Sequence, residues 1–153
     1  MKKQSLEIGR LCTERVVTTT ADASVLDAAK IMRAEHVGDI VCVSDDSERK
    51  PIGILTDRDI VVSMMAPELD PATMQVGDVM SYDLATVPGD GDLLDAIDMM
   101  AEAKVRRVPV VDTNGRLAGI LSLDDVIGFL TDVLQRIAAV SDAQRWRERV
   151  TKL

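Results

Sequence analysis

The chain has almost no aromatic residues: one Trp, one Tyr and one Phe in 153 positions. A core without rings must be aliphatic, so Val, Ile, Leu, Ala and Met carry it within an apolar fraction of 46%, the usual share for a globular protein. The single histidine, His36, excludes a His-based metal cluster, and the two cysteines, Cys12 and Cys42, stand outside any C-x-x-C or Cys/His spacing. Both cysteines read as small core residues. Basic charge is scarce as well, with 18 Lys and Arg against 26 Asp and Glu and a net charge of −8. That balance excludes a general nucleic-acid or anionic-membrane binder, which needs a basic face. It leaves room for an anionic small ligand held by one or two arginines. No stretch approaches the roughly 20 apolar residues that span a bilayer, and "MKKQSLEIGRL" has no apolar run behind its lysines, so it does not read as a secretory leader. The expectation is a cytoplasmic protein with one compact domain, or two small ones sharing a core.

What the sequence does have is a duplication. "IGRLCTERVVTTTADASVLDAAKIM" (8–32) aligns without gaps on "VGDVMSYDLATVPGDGDLLDAIDMM" (76–100). Gly9 meets Gly77, Thr18 meets Thr86, Asp22 meets Asp90, Cys12 meets Met80 and Cys42 meets Val110. The register slips in the loop "SDDSERKPIG", which is longer than its counterpart "DTNGRLAG", and resumes at Gly53/Gly119. Each copy reads as a short extended piece, an amphipathic helix, two strands and a closing helix. The helical faces are Val25, Ala28, Ala29 and Met32, repeated as Leu93, Ala96, Ile97 and Met100, with Asp22 or Ser24 as the first helix's cap.

The predicted class is therefore α+β, two tandem β-α-β-β-α repeats related by a pseudo-twofold axis. The expected boundaries are 6–66 for the first repeat, 67–75 for a Pro-containing linker, 76–135 for the second repeat and 136–153 for a helical tail with the lone Trp146. One unit of roughly 60 residues buries little core alone, so the copies should pack together and leave two similar clefts between them. Val126, Ile127, Leu130, Val133, Leu134 and Ile137 form an apolar stripe longer than the first closing helix needs, which suits a partner subunit.

"GILTDRDI" (53–60) returns as "GILSLDDV" (119–126). A Ser or Thr with an acid three residues later is the pattern of a helix N-terminal cap. The same geometry can serve a ligand, because a carboxylate at a strand-to-helix junction can accept hydrogen bonds from the vicinal diol of a ribose. Neither use excludes the other. No nucleophile has a paired base in the sequence, His36 has no evident acid partner, and Ser122 with Asp125 lacks a third member. An enzyme is not expected.

The doubled unit, each copy ending in G-h-h-[ST]-x-x-D, resembles a pair of CBS domains (a Bateman module) over about residues 6–135. "HVGDIVCVSDDSERKPIGILTDRDIVV" and "VRRVPVVDTNGRLAGILSLDDVI" carry the likeness. The resemblance implies a regulatory module that binds AMP, ADP, ATP, S-adenosylmethionine, another adenosyl compound or nothing. It implies no required cofactor, a homodimer, and an output exerted in trans on another protein. By position it makes Asp59 and Asp125 ribose acceptors, and Thr56 and Ser122 phosphate- or ribose-contacting hydroxyls. Val17, Thr18, Ile40, Thr86, Val87, Pro88 and Pro109 would wall the adenine, and Arg106 and Arg107 would meet phosphate. The halves differ: Gly38 and Asp39 stand where the second copy has Arg106 and Arg107, and Arg58 stands where it has Asp124. Two clefts of unequal phosphate affinity are expected, with Arg58 on the phosphate-facing side of its own. The competing reading is a structural or oligomerisation module with vestigial clefts.

Overall fold

A computed structural model describes residues 7–151. Residues 1–6, 152 and 153, and the side chains of 142, 143 and 145–151 with Trp146 among them, lie outside the described residues.

Each repeat opens on a two-residue strand, β1 (Thr18–Thr19) or β4 (Val87–Pro88). Helices α1 (Val25–Glu35) and α4 (Leu93–Ala103) follow. Ser24 caps α1 by accepting the Asp27 N–H at 3.0 Å, and Asp92 caps α4 by accepting the Leu94 N–H at 2.9 Å. These caps satisfy first-turn donors that have no partner inside the helix. The buried faces are Val25, Ala28 and Met32 in α1, and Leu93, Ala96 and Met100 in α4. Both helices stop at a left-handed residue, His36 (φ 56°) and Lys104 (φ 55°).

Strands β2 (Asp39–Val43) and β5 (Arg107–Val111) are the middle strands of two three-stranded sheets, ordered β1-β2-β3 and β4-β5-β6. Each pairs parallel with the short strand and antiparallel with β3 (Pro51–Thr56) or β6 (Leu117–Ser122). "DIVCV" and "RVPVV" lack polar alternation because they are covered on both faces; Val41, Cys42, Val108 and Val110 are fully buried. β3 and β6 do alternate. Leu55 and Leu121 enter the cores, while Ile54, Thr56, Ile120 and Ser122 lie half-buried on the other face.

The closing helices differ in length. α2 (Asp57–Ile60) runs into a π-helical turn at Val61–Met65 and ends at Glu68, whose φ is 60°. α5 runs Leu123–Thr151, so the helix continues through residue 136 without a break.

The repeats also exchange their first segments, which the internal alignment did not show. Ile8 packs in the second repeat's core with Val87, Leu93, Val108 and Leu121. Val76, on the short helix α3 (Val76–Val79), and Met80 pack in the first repeat's core with Ala28, Ile40 and Leu55. Backbone bonds fix the exchange. Gly9 N–H donates to Gly89 O and Gly77 N–H to Ala21 O, both at 2.8 Å. Thr13 and Ile120 exchange two bonds at 2.9 and 3.0 Å, and Ile54 and Ser81 two at 3.1 and 2.9 Å. The crossing chain comes so close that a Cβ at Gly53 would lie 2.6 Å from Met80 Sδ, and one at Gly119 2.7 Å from Cys12 Sγ. Cys12 and Met80 thus hold equivalent places. Cys42 is fully buried, and burial, helped by Asp22, pushes its thiol pKa up to about 11.

Candidate functional site: two clefts between the repeats

The exchange leaves one cleft beside each closing motif. The first, about 250 Å³, is built on Ile54, Thr56 and Asp59 and closed by Leu84, Ala85 and Val105 of the second repeat. The second, about 180 Å³, is built on Ile120, Ser122 and Asp125 and closed by Val16, Val17 and Val37 of the first. Aliphatic walls face a polar floor in both, the usual make-up of a small-ligand site.

The floors are the repeated motifs, and their hydrogen bonds answer the cap question. Asp59 Oδ2 accepts the Thr56 N–H at 2.9 Å and the Thr56 hydroxyl at 2.7 Å, while Thr56 Oγ1 accepts the Asp59 N–H at 3.1 Å. Asp125 Oδ2 accepts the Ser122 N–H at 2.8 Å and its hydroxyl at 2.6 Å, and Ser122 Oγ accepts the Asp125 N–H at 3.1 Å. Both motifs are therefore reciprocal capping boxes. Each uses only Oδ2. The Oδ1 atoms of Asp59 and Asp125 have no hydrogen-bond partner among the described residues, so each half-buried carboxylate has one oxygen outside the capping box.

The structure brings together Thr56, Asp59 and Arg107 at the first cleft, and Val17, Ser122, Asp125 and Arg107 at the second. The other expected site residues lie elsewhere. Ile40 and Val87 are buried in the cores, and Pro109 is buried on the other face of β5, paired with Ile120; none of the three lines either cleft in this structure. Thr86 is half-buried and Pro88 exposed, and neither lines a cleft. Thr18 lines an open cavity of about 320 Å³ at the hairpin tips, which shares Arg15 and Val16 with the second cleft, and accepts a hydrogen bond from Arg49 at 3.1 Å. Arg58 is exposed on the first turn of α2, outside the cleft it was expected to mark. Arg106 is exposed and faces the carboxylate of Asp124 at 3.7 Å. The two residues that depart from the first repeat at those positions thus meet each other.

Sequence reading missed Asp39, which forms an ion pair with Arg107. Both residues line both clefts. The Asp39 side chain is only 10% exposed and that of Arg107 40%. Burial pushes the Asp39 pKa up; Arg107 opposes that shift, and the charge of Asp57 adds to it. The missed walls Ile54 and Ile120 could have been found from strand alternation, since each is two residues before a motif hydroxyl. Asp83 in the first cleft and Arg15 in the second occupy matched positions with opposite charge. The first cleft therefore has three carboxylates (Asp39, Asp59, Asp83) around one guanidinium, and the second has two carboxylates and two guanidiniums. The lining charges of the two clefts are unequal, and the more basic cleft is the one floored by Ser122 and Asp125.

Two exchanged β-α-β-β-α units with a cleft at each closing motif define a tandem-repeat module. Comparison with known proteins gives its family. The CBS domain profile matches residues 8–66 and 76–132, and the chain belongs to that family. An uncharacterised protein of Methanopyrus kandleri is 32% identical over 124 residues, 81% of this chain and 62% of that protein, so this chain spans under two thirds of that relative. CBS domain-containing protein YhcV of Bacillus subtilis is 36% identical over 114 residues, 74% of this chain and 78% of that protein. Among solved structures, the CBS domain pair of MJ0100 in complex with 5′-methylthioadenosine and S-adenosyl-L-methionine superposes with a TM-score of 0.72 at 22% identity, over 84% of this chain and 98% of that one. The two matched units occupy most of the described chain. Among the described residues, no group of three His, Cys, Asp or Glu side chains is placed to hold a metal, and no helix is long and apolar enough to cross a membrane.

Proposed function

We propose that the chain is a regulatory module that binds adenosyl ligands in its two inter-repeat clefts and senses energy state or a metabolite for a partner protein in trans. The observation that carries this reading is the free Oδ1 of Asp59 and Asp125, held beside an aliphatic wall by a capping box that uses the other oxygen. A ribose hydroxyl suits that acceptor, and an adenine suits the wall. The second cleft, with Arg15 and Arg107, favours an AMP-, ADP- or ATP-type ligand. The first, with three carboxylates, favours a neutral or cationic adenosyl compound, and a sulfonium such as S-adenosylmethionine fits its charge. The fold's likeness to a pair solved with two adenosyl ligands supports the ligand class.

A ligand shifts a conformational equilibrium only through unequal affinity for the two states, so the output needs a surface that changes or is shared. α5 offers one. Ile127, Leu130, Leu134, Ile137 and Val140 are about half or more exposed, as are Val61, Val62 and Met65 on the first closing helix. A second copy packing on this apolar row would form a homodimer. The same row favours the second reading, an assembly module with empty clefts. A thermal-melt panel of AMP, ADP, ATP, 5′-methylthioadenosine and S-adenosylmethionine separates them. A ligand at a hundred times its Kd stabilises the folded state by about 2.7 kcal/mol, which raises Tm by several degrees. A flat response across the panel sinks the sensing reading and leaves the assembly one.

A further inference from the structure

The Asp39–Arg107 pair is the one charged element common to both clefts. Asp39 opens β2 and Arg107 opens β5, matched positions in the two repeats, so the pair sits where the pseudo-twofold axis passes between the sites. Each residue lines the first cleft and the second. The other charged lining groups belong to one cleft each: Asp59 and Asp83 to the first, Arg15 and Asp125 to the second.

We infer that this shared pair makes the two clefts antagonistic for phosphate-bearing ligands while leaving them independent for uncharged nucleosides. The inference rests on the adenosyl reading above. An anion entering either cleft recruits the Arg107 guanidinium, which is two-fifths exposed and free to swing, whereas the Asp39 carboxylate is nearly buried and stays in place. Recruitment has two consequences for the other cleft. It loses its central cation, and it gains the uncompensated charge of Asp39, with Asp57 close behind: a Cβ on Gly38, next to Asp39, would lie 3.2 Å from Asp57 Oδ2. Both consequences oppose a second anion. Arg15 softens the loss only in the second cleft, and its guanidinium is already engaged with Glu35 at 2.8 Å. The first phosphate ligand therefore settles in the second cleft. An uncharged nucleoside uses the diol acceptors and the aliphatic walls, leaves the pair closed, and fills both clefts.

Isothermal titration of the full chain with AMP and with adenosine tests this. The expected result is two adenosine sites within about threefold of each other, and an AMP isotherm with one strong site and a second at least tenfold weaker (about 1.4 kcal/mol). Asp39→Asn removes the charge left behind but keeps a hydrogen-bond acceptor for Arg107, and should narrow the gap between the two AMP sites by about threefold or more, with Arg15 keeping the second cleft the stronger. Arg107→Gln should make AMP no tighter than adenosine in the first cleft and should weaken AMP in the second, where Arg15 remains. Circular dichroism melts of both variants establish that they are folded. Two equal, independent AMP sites in the unaltered chain overturn the coupling, and so does an AMP gap of unchanged size in folded Asp39→Asn. If neither AMP nor adenosine binds, the adenosyl reading fails and the coupling fails with it. If adenosine fills both clefts but AMP shows no gap, only the coupling fails.

Discussion

Replacing Asp125 by Asn and by Ala separates the two tasks that the repeated motif combines. Asp125 Oδ2 accepts two hydrogen bonds, from the Ser122 N–H at 2.8 Å and the Ser122 hydroxyl at 2.6 Å. The amide oxygen of Asn can take over both, so the cap survives and stability should change by less than about 0.5 kcal/mol. The amide nitrogen then stands where Oδ1 stood, and a charged acceptor becomes a donor. A hydrogen bond to a charged group is worth about 1.5–3 kcal/mol, so adenosine affinity at this cleft should fall roughly 10- to 100-fold. Alanine loses the ligand acceptor and both cap bonds. It should cost a further 1–2 kcal/mol or so of stability, about 2–8 °C in Tm for a chain of this size. Melts followed by circular dichroism give the first quantity, and isothermal titration with adenosine gives the second. If Asn binds adenosine at unaltered strength with an unaltered Tm, the carboxylate is only a cap. If Asn lowers Tm as much as Ala does, the division of labour between the two oxygens is wrong.

Gly119→Ala should destabilise the fold by about 1–3 kcal/mol through overpacking, because the new methyl lies 2.7 Å from Cys12 Sγ and 3.1 Å from the Thr13 carbonyl. A denaturant melt checks it; a neutral result would mean that the exchanged segment is not held there. Leu134→Glu with Ile137→Glu, both on the exposed row of α5, should convert a dimer to monomer in light scattering without lowering adenosine binding, and an unchanged mass would place the subunit contact elsewhere. Asp39, raised in pKa mainly by burial, is stabilising in its protonated form: its contribution is fully present below the ordinary carboxyl pKa of 3.8 and is lost as pH rises through the higher folded value. Asp39→Asn should therefore have a higher Tm than the unaltered chain at pH 7, and the difference should shrink at pH 3; a lower Tm at pH 7 would mean that the ion pair outweighs its burial.

The duplication was legible because it preserved residues that do local work: the capping pairs Thr56/Asp59 and Ser122/Asp125, and the helix faces Val25–Met32 and Leu93–Met100. The exchange of first segments was not. Ile8 and Val76 are interchangeable hydrophobics in an alignment, and nothing local says which copy each one packs against. The displaced adenine walls have a similar cause. Val87 lies on a two-residue strand whose side chain enters the core, so the cleft is met a few residues earlier, at Leu84 and Ala85. In the sequence Asp39 is only the counterpart of Arg107; the fold brings the two together from different repeats. Arg58, read from its charge, and Arg106, implied by the resemblance, are exposed: their neighbours Asp59 and Val105 line the first cleft, and the arginines do not.

Isoleucine methyl NMR tests whether adenosyl ligands occupy the two inter-repeat clefts. Ile54 faces the first cleft and Ile120 the second, while Ile40 is buried in a core and Ile137 lies on the exposed row of α5. Titrating the full chain with adenosine should move the Ile54 and Ile120 methyl signals saturably and leave those of Ile40 and Ile137 in place. If neither cleft methyl shifts with millimolar adenosine, AMP or S-adenosylmethionine, the clefts are not adenosyl sites.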